Sequence, residues 1–317
     1  MNPADYRKDL TDRIIKQLEA GTAPWVKPWN PDMAFPGAPH NAVSQREYHG
    51  GNQLWLSCQG YSDPRWCTYK QAAEQGWQVR RGEKSALVEY WQWTENKKDE
   101  QGKSVEVKLD QPRVFYASVF NVSQIENVPE YQPESRKWDP LEKAEKILSA
   151  SGARIYYNKQ DTAYYSPRSD SIHMPPKSLF PDQRGFYSTA LHELGHWSGH
   201  PSRLNRDMIH QYASPGYAME ELRAELASYF LANRLGISHD SSQHASYIGS
   251  WIEALSKDHN EIHRASKDAE KIVEFVLQFQ LEKTQAKEQI QEQPSPATLS
   301  QQAQPSRQRS KEVELEC

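Results

Sequence analysis

Residues 182–199 read DQRGFYSTALHELGHWSG, and the core of that stretch, His192-Glu193-Leu194-Gly195-His196, organises the reading of the whole chain. Positions i and i+4 of a helix lie on one face, a turn apart, so His192 and His196 aim at a common point. Two converging neutral imidazoles begin a zinc site. Glu193, beside that face, can accept a proton from a water that zinc acidifies towards a pKa of ~7. The flanks are helical. Asp182 follows Pro181 as an N-cap, Phe186, Ala190, Leu191, Leu194 and Trp197 form an apolar stripe, and Gly199 is placed to end the helix.

A zinc ion needs a third protein ligand. An extended HExxHxxGxxH motif is excluded, because Gly199 matches but Ser202 stands at the third histidine and His200 comes two residues early. A glutamate from a following helix is the alternative. Glu220-Glu221-Leu222-Arg223-Ala224-Glu225 supplies Glu221 and Glu225 as i,i+4 neighbours. Glu221 is assigned as the ligand and Glu225 as the carboxylate that holds a ligand imidazole through its other N–H. The reverse assignment, and a solvated acidic helix face, stay open. Glu220 is expected to point elsewhere, to the surface. His200, Arg203, Arg206, His210 and Tyr217, between the two helices, are candidate donors to an oxyanion, with loop packing as the plainer role of each.

Around this motif the chain divides. Residues 1–130 are expected to form an α+β domain with many tryptophans. Ile14, Ile15 and Leu18 mark an opening helix that Gly21 ends, and Pro24 to Trp29 form an extended loop. Tyr69 to Gln75 is a short helix. Strands are expected at Ala86 to Trp93, Val105 to Leu109 and Arg113 to Val122, with a polar connection after the first. Asn127 to Pro140, carrying three prolines, is a linker. In the second domain, 131–283, a helix at Leu141 to Ala150 and short strands at Arg154 to Tyr157, Thr162 to Tyr165 and Ser171 to Met174 precede the motif helix. Helices then follow at about Tyr217 to Leu235, His244 to Leu255 and Glu261 to Leu281. Residues 284–317, rich in Gln, Ser, Pro and Lys, read as a disordered tail.

Composition narrows the function. No stretch reaches the ~18 apolar residues of a membrane span, and the N-terminus has no signal-peptide core, so no membrane partner and a cytoplasmic location are expected. Cys58, Cys67 and Cys317 are too few, and odd in number, for a disulfide framework, and no CxxC pair offers a thiolate zinc site. Net charge is −4, which gives no global sign of nucleic-acid binding.

A local sign exists. Single-stranded nucleic acid is held by bases stacked on aromatic rings beside a basic groove. The first domain has Trp25, Lys27 and Trp29 in one loop, and Tyr48, Trp55, Trp66, Lys70, Trp77, Arg80, Arg81 and Lys84 further on. Against this, residues 1–130 hold 16 Lys and Arg against 17 Asp and Glu, a net of −1, and tryptophans also fill cores.

The stretches PWVKPW, YHGGNQLWL, WCTYKQ, GWQVRRGEK and VFNVSQIE, with HELGHWSGHPSRLNR and YAMEELRAELASYF, together resemble ArdC-type antirestriction proteins of conjugative plasmids, to which the N-terminal half of TraC-type plasmid primases is related. The resemblance covers roughly residues 5–280. It implies an N-terminal domain that binds single-stranded DNA, a C-terminal zincin-like metallopeptidase domain, and a role in shielding incoming plasmid DNA from restriction. Trp25, Lys27, Trp29, Lys70, Trp77, Arg80, Arg81 and Lys84 are the expected DNA contacts, Zn2+ the expected cofactor, and a restriction enzyme or other host protein a conceivable target. A zinc-stabilised protein that acts by occlusion, and a metal-dependent nucleic-acid hydrolase, remain as alternatives.

Overall fold

The computed structural model describes residues 3–23, 25, 37–98, 101–131, 140–158, 162–211, 214–237 and 247–291. Helix α1 (Pro3–Glu19) buries Tyr6, Leu10, Ile14 and Leu18, one face at helical spacing, and the chain turns away at Gly21 with φ 64°. Helix α2 (Gly50–Ser57) buries Leu54, Trp55 and Leu56. A four-stranded sheet has the order β1 (His40–Asn41), β2 (Arg65–Thr68), β5 (Ser104–Asn121), β4 (Ala86–Lys98). Helix α3 (Tyr69–Glu74) leaves β2 through a capping box in which the Thr68 hydroxyl accepts from the Gln71 N–H. Strands β3 (Gln78–Val79) and β6 (Ile125–Glu126) make a small antiparallel pair.

Two expected strands are one. Val105 to Leu109 and Arg113 to Asn121 lie within β5, which pairs with β4 on both sides of an irregularity, while Val122, the expected last residue, opens a 3-10 turn. Gln92 faces Arg113 but Thr94 faces Lys108, so the residues from Leu109 to Pro112 stand opposite Trp93 alone. Pro112 has no N–H to give a ladder, and a bulge accommodates it without ending the strand.

The second half begins with α4 (Pro140–Ala150) and a three-stranded sheet of order β7 (Arg154–Tyr157), β9 (Ser171–Met174), β8 (Tyr164–Ser166), the first pair parallel and the second antiparallel. Among the described residues, the helices α5 (Gln183–Trp197), α6 (Pro215–Leu235), α7 (Ile248–Lys257) and α8 (Glu261–Gln291) follow. Gly236, at φ 72°, closes α6 in the left-handed conformation that costs glycine least. Helix α8 continues past the expected boundary at 284, so residues 284–291 are helical; the rest of the expected tail, 292–317, lies outside the described residues.

One apolar core runs through both halves. Tyr6, Trp25, Trp55 and Trp66 belong to the same cluster as Leu191, Phe230, Trp251 and Val276. Polar contacts cross it as well: the Thr11 hydroxyl donates to the His259 carbonyl at 2.7 Å, and the Gly50 N–H donates to Glu270 Oε2 at 3.2 Å. Cys58 and Cys67 are buried free thiols. No helix among the described residues is long and apolar enough to cross a membrane.

Candidate metal centre

The Asp182 carboxylate accepts from the Gly185 N–H at 2.8 Å and starts α5 where the sequence places it. Further along the helix, His192 and His196 stand a turn apart, both buried, with their Nε2 atoms 3.1 Å from each other. Helix α6 brings Glu221 between them. Its Oε2 lies 3.5 Å from His192 Nε2 and its Oε1 3.4 Å from His196 Nε2. Atoms placed tetrahedrally at ~2.0–2.1 Å from one ion stand about 3.3–3.4 Å apart. The Glu221 carboxylate turns one oxygen to each ring, so two imidazole nitrogens and one carboxylate converge as a three-residue set that would hold a single metal. Among the described residues, His192, His196 and Glu221 are the group that could hold one.

A ligand imidazole is oriented by the partner of its second nitrogen. His192 Nδ1 lies 3.2 Å from Glu225 Oε2, and His196 Nδ1 lies 3.2 Å from Glu220 Oε1. Glu220, expected at the surface, is instead 6% exposed. The correction has a physical cause. Arg206, from the loop between α5 and α6, reaches Glu220 with Nη2 at 2.7 Å and Nε at 3.2 Å, which compensates the buried carboxylate. One signal could have found it: two ligand imidazoles need two acceptors, and the sequence reading supplied only Glu225. Gly199 stands just past the end of α5, after the C-cap Ser198, though without a positive φ. A Cβ at Gly199 would come within 2.9 Å of Arg206 Nη2 and 2.3 Å of Met208 Sδ, so this glycine makes room for the Arg206 side chain.

The charges around the pocket call for a cation. Burial pushes the His192 ring down, but hydrogen bonds to Glu221 and Glu225 outweigh it and raise its pKa to about 9. Burial acts against His196 too, and the charge of Glu221 and the hydrogen bond to Glu220 lift it well above the ordinary histidine value. Burial raises Glu220 and Glu221, yet the facing imidazoles, with Arg206 at Glu220, hold both below the usual carboxylate range. A metal held by His192, His196 and Glu221 would take the place of protons on the two rings.

The site opens into a cleft of 1120 Å³, where Glu193 lies beside the three ligands. Of the loop candidates, His210 and Tyr217 line this cleft. Arg203 is committed elsewhere: it pairs with Asp170, donates to the Trp197 carbonyl at 2.7 Å, and lies 3.8 Å over the Trp197 ring. Arg206 is held by Glu220, Gly195 and Ser198, and His200 lies 2.8 Å from the Ser202 hydroxyl.

The expected DNA contacts differ in exposure. Trp25 is 0% exposed, and its indole packs in the shared core; as a stacking surface it is corrected to a core residue. Lys27 and Trp29 lie outside the described residues. Trp77 is half-buried against Cys67, Ala72, Val79 and Ile125. Lys70, Arg80, Arg81 and Lys84 are exposed, with Lys70 near Glu74 and Arg80 paired to Glu83. The exposed rings are others: Tyr90, Trp91 and Trp93 of β4, and Phe115 and Tyr116 of β5. Alternation in β4 carries that signal, since Leu87, Val88, Tyr90, Trp91 and Trp93 put apolar groups on both faces of the strand.

Comparison with known proteins agrees in both halves. Residues 4–122 match the family model of the N-terminal domain of anti-restriction factor ArdC, and residues 142–268 match that of a zincin-like metallopeptidase. The chain is 51% and 48% identical to two DNA primases TraC of Escherichia coli over 84% of its length, but spans only 26% and 19% of theirs. It is 34% identical to the uncharacterized protein y4eC of Sinorhizobium fredii, over 90% of that protein. Crystal structures of antirestriction protein ArdC from plasmid R388, metal-free and Mn(II)-bound, align over 87% of this chain and 97% and 98% of theirs, each with a TM-score of 0.69, at 36% and 34% identity.

Proposed function

From the premise that this chain belongs to the ArdC antirestriction family, we propose that it is a cytoplasmic protein that binds single-stranded DNA and protects incoming plasmid DNA from host restriction, with a zinc-dependent peptidase site in its C-terminal half. The observation that carries the catalytic part is the closed set of ligands and supports: His192, His196 and Glu221 around one point, with Glu225 and Glu220 behind the rings. Imidazole donors suit zinc; the R388 relative holds Mn(II), so the resident metal is part of the proposal. A bound metal supplies Lewis-acid polarisation of a carbonyl and acidifies water.

The chain's own groups do the rest. Glu193 lies in the cleft beside the ligands, placed to take a proton from the attacking water at its carboxylate and return it to the leaving amine. Tyr217 lines the same cleft, and its phenol, protonated at neutral pH, can donate to a developing oxyanion. The target would be a restriction enzyme or another host protein.

The test is Glu193→Gln in the full chain. Metal content should be unchanged, while hydrolysis and protection of unmodified plasmid DNA in a restricting host should both be lost. Full protection by this variant would show that the protein acts by occlusion instead. Cleavage of labelled single strands by the wild type, abolished in the variant, would make it a nucleic-acid hydrolase.

A further inference from the structure

A second cavity, of 770 Å³, opens between the halves, where α1, α2 and β4 face α8. That volume is in the range of small-molecule sites, ~300–1,000 Å³. One wall is aromatic: Trp91 and Trp93 are 46% and 48% exposed. Exposed apolar groups that adjoin one another mark interaction sites, and both of these rings border the one cavity. Trp91 is held in place, since its Nε1–H donates to Glu89 Oε2 at 3.2 Å.

The opposite wall is basic and comes from α8, with Arg264 and Lys267 on exposed positions. Arg264 is engaged with Asp258 and Glu261, whereas Lys267 has no ion-pair partner among the described residues. The two carboxylates in the lining are already compensated: Glu89 faces Arg7 at 3.4 Å, and Glu270 pairs with Arg234 and takes the Gly50 N–H. His263 adds a third feature. Its buried Nε2 has no hydrogen-bond partner among the described residues, although the ring borders the cavity. A buried polar atom without a partner in a cavity wall is a place for a ligand's polar group.

We propose that this cavity is a nucleotide-binding subsite for single-stranded DNA, with a base stacked on Trp91 and Trp93 and the backbone phosphate at Lys267. It rests on the single-stranded-DNA reading above and deepens it. The strand is gripped between the N-terminal half and α8, not by the N-terminal half alone. The chemistry fits the class of ligand. Aromatic faces accept any base, a duplex hides those faces, and an ammonium meets the phosphate as a point charge.

The experiment uses the full chain and a fluorescein-labelled oligothymidylate of about 20 nucleotides, read by anisotropy over a salt series. Trp91→Ala and Trp93→Ala should each weaken binding roughly 5- to 100-fold. Lys267→Ala should weaken it and lower the salt slope by about 0.7, the contribution of one phosphate contact on a single strand. Metal content and thermal midpoint should stay at wild-type values in all three, since these side chains are exposed. An oligonucleotide carrying 5-iodouracil should photo-crosslink to the β4 peptide that contains Trp91 and Trp93. If the wild type binds the oligonucleotide and the three variants bind it equally well, the subsite is wrong and DNA binding lies elsewhere. If the wild type does not bind it, the DNA reading falls and the subsite with it.

Discussion

Replacing Glu220 by alanine tests the feature of the metal centre that its helix did not announce. In the folded protein the Glu220 carboxylate accepts from His196 Nδ1 at 3.2 Å and meets Arg206 at 2.7 and 3.2 Å. Two effects should follow. Loss of the partner behind a ligand imidazole should lower zinc affinity roughly 10- to 100-fold, or about 1.4–2.7 kcal/mol. Arg206, with 10% of its side chain exposed, also loses its counter-charge. Breaking a buried pair costs ~3–5 kcal/mol. Here the guanidinium keeps the Gly195 carbonyl and the Ser198 hydroxyl, both at 2.8 Å, so the loss should fall near the lower end, about 3 kcal/mol. Competition with a chromophoric chelator at neutral pH measures the first effect, and urea unfolding of the metal-free protein the second. Glu220→Gln, which keeps an acceptor for His196, should retain more zinc affinity than Glu220→Ala while losing much of the Arg206 pairing. A folded Glu220→Ala variant that binds zinc as tightly as the wild type would refute the assignment of Glu220 to His196.

Three further outcomes are expected. Glu221→Ala should release the metal outright, whereas Glu225→Ala should weaken its binding roughly 10- to 100-fold; elemental analysis after dialysis separates the two, and a swapped order would exchange their roles. His263 should make stability depend on acid. Burial, with Arg7 close by, lowers its pKa from 6.5 to about 4, so the unfolded chain takes up this proton first, and stability present above pH 6.5 is lost as pH falls towards 4. That loss amounts to at most about 3 kcal/mol, and His263→Gln should flatten this part of the stability-pH curve in urea titrations; an unchanged curve would show that the ring is not held neutral. Finally, the isolated fragment 1–130 should lack a cooperative unfolding transition by circular dichroism, because α7 and α8 supply part of its core and the His259 carbonyl between them accepts the Thr11 hydrogen bond. A sharp transition in that fragment would mean that the halves fold independently.

Much of the protein was legible in its sequence where the governing interactions are local. The i,i+4 spacing of His192 and His196 puts them on one helix face whatever surrounds the helix. Asp182 as N-cap and the strands Arg154–Tyr157 and Ser171–Met174 also depend on neighbours a few residues away. Only the tertiary structure decided what depends on distant partners. Glu220 is buried because a loop arginine arrives to compensate it, and nothing within α6 records that arrival. Trp25 is core while Trp91 and Trp93 are exposed, since a tryptophan's place depends on what the rest of the chain lays over it. The break expected before Arg113 became a bulge, because pairing with β4 continues on both sides of Pro112. The two halves meet across α8 for the same reason: a hydrophobic pattern says which face of a helix is buried, but only chain topology chooses the partner that buries it.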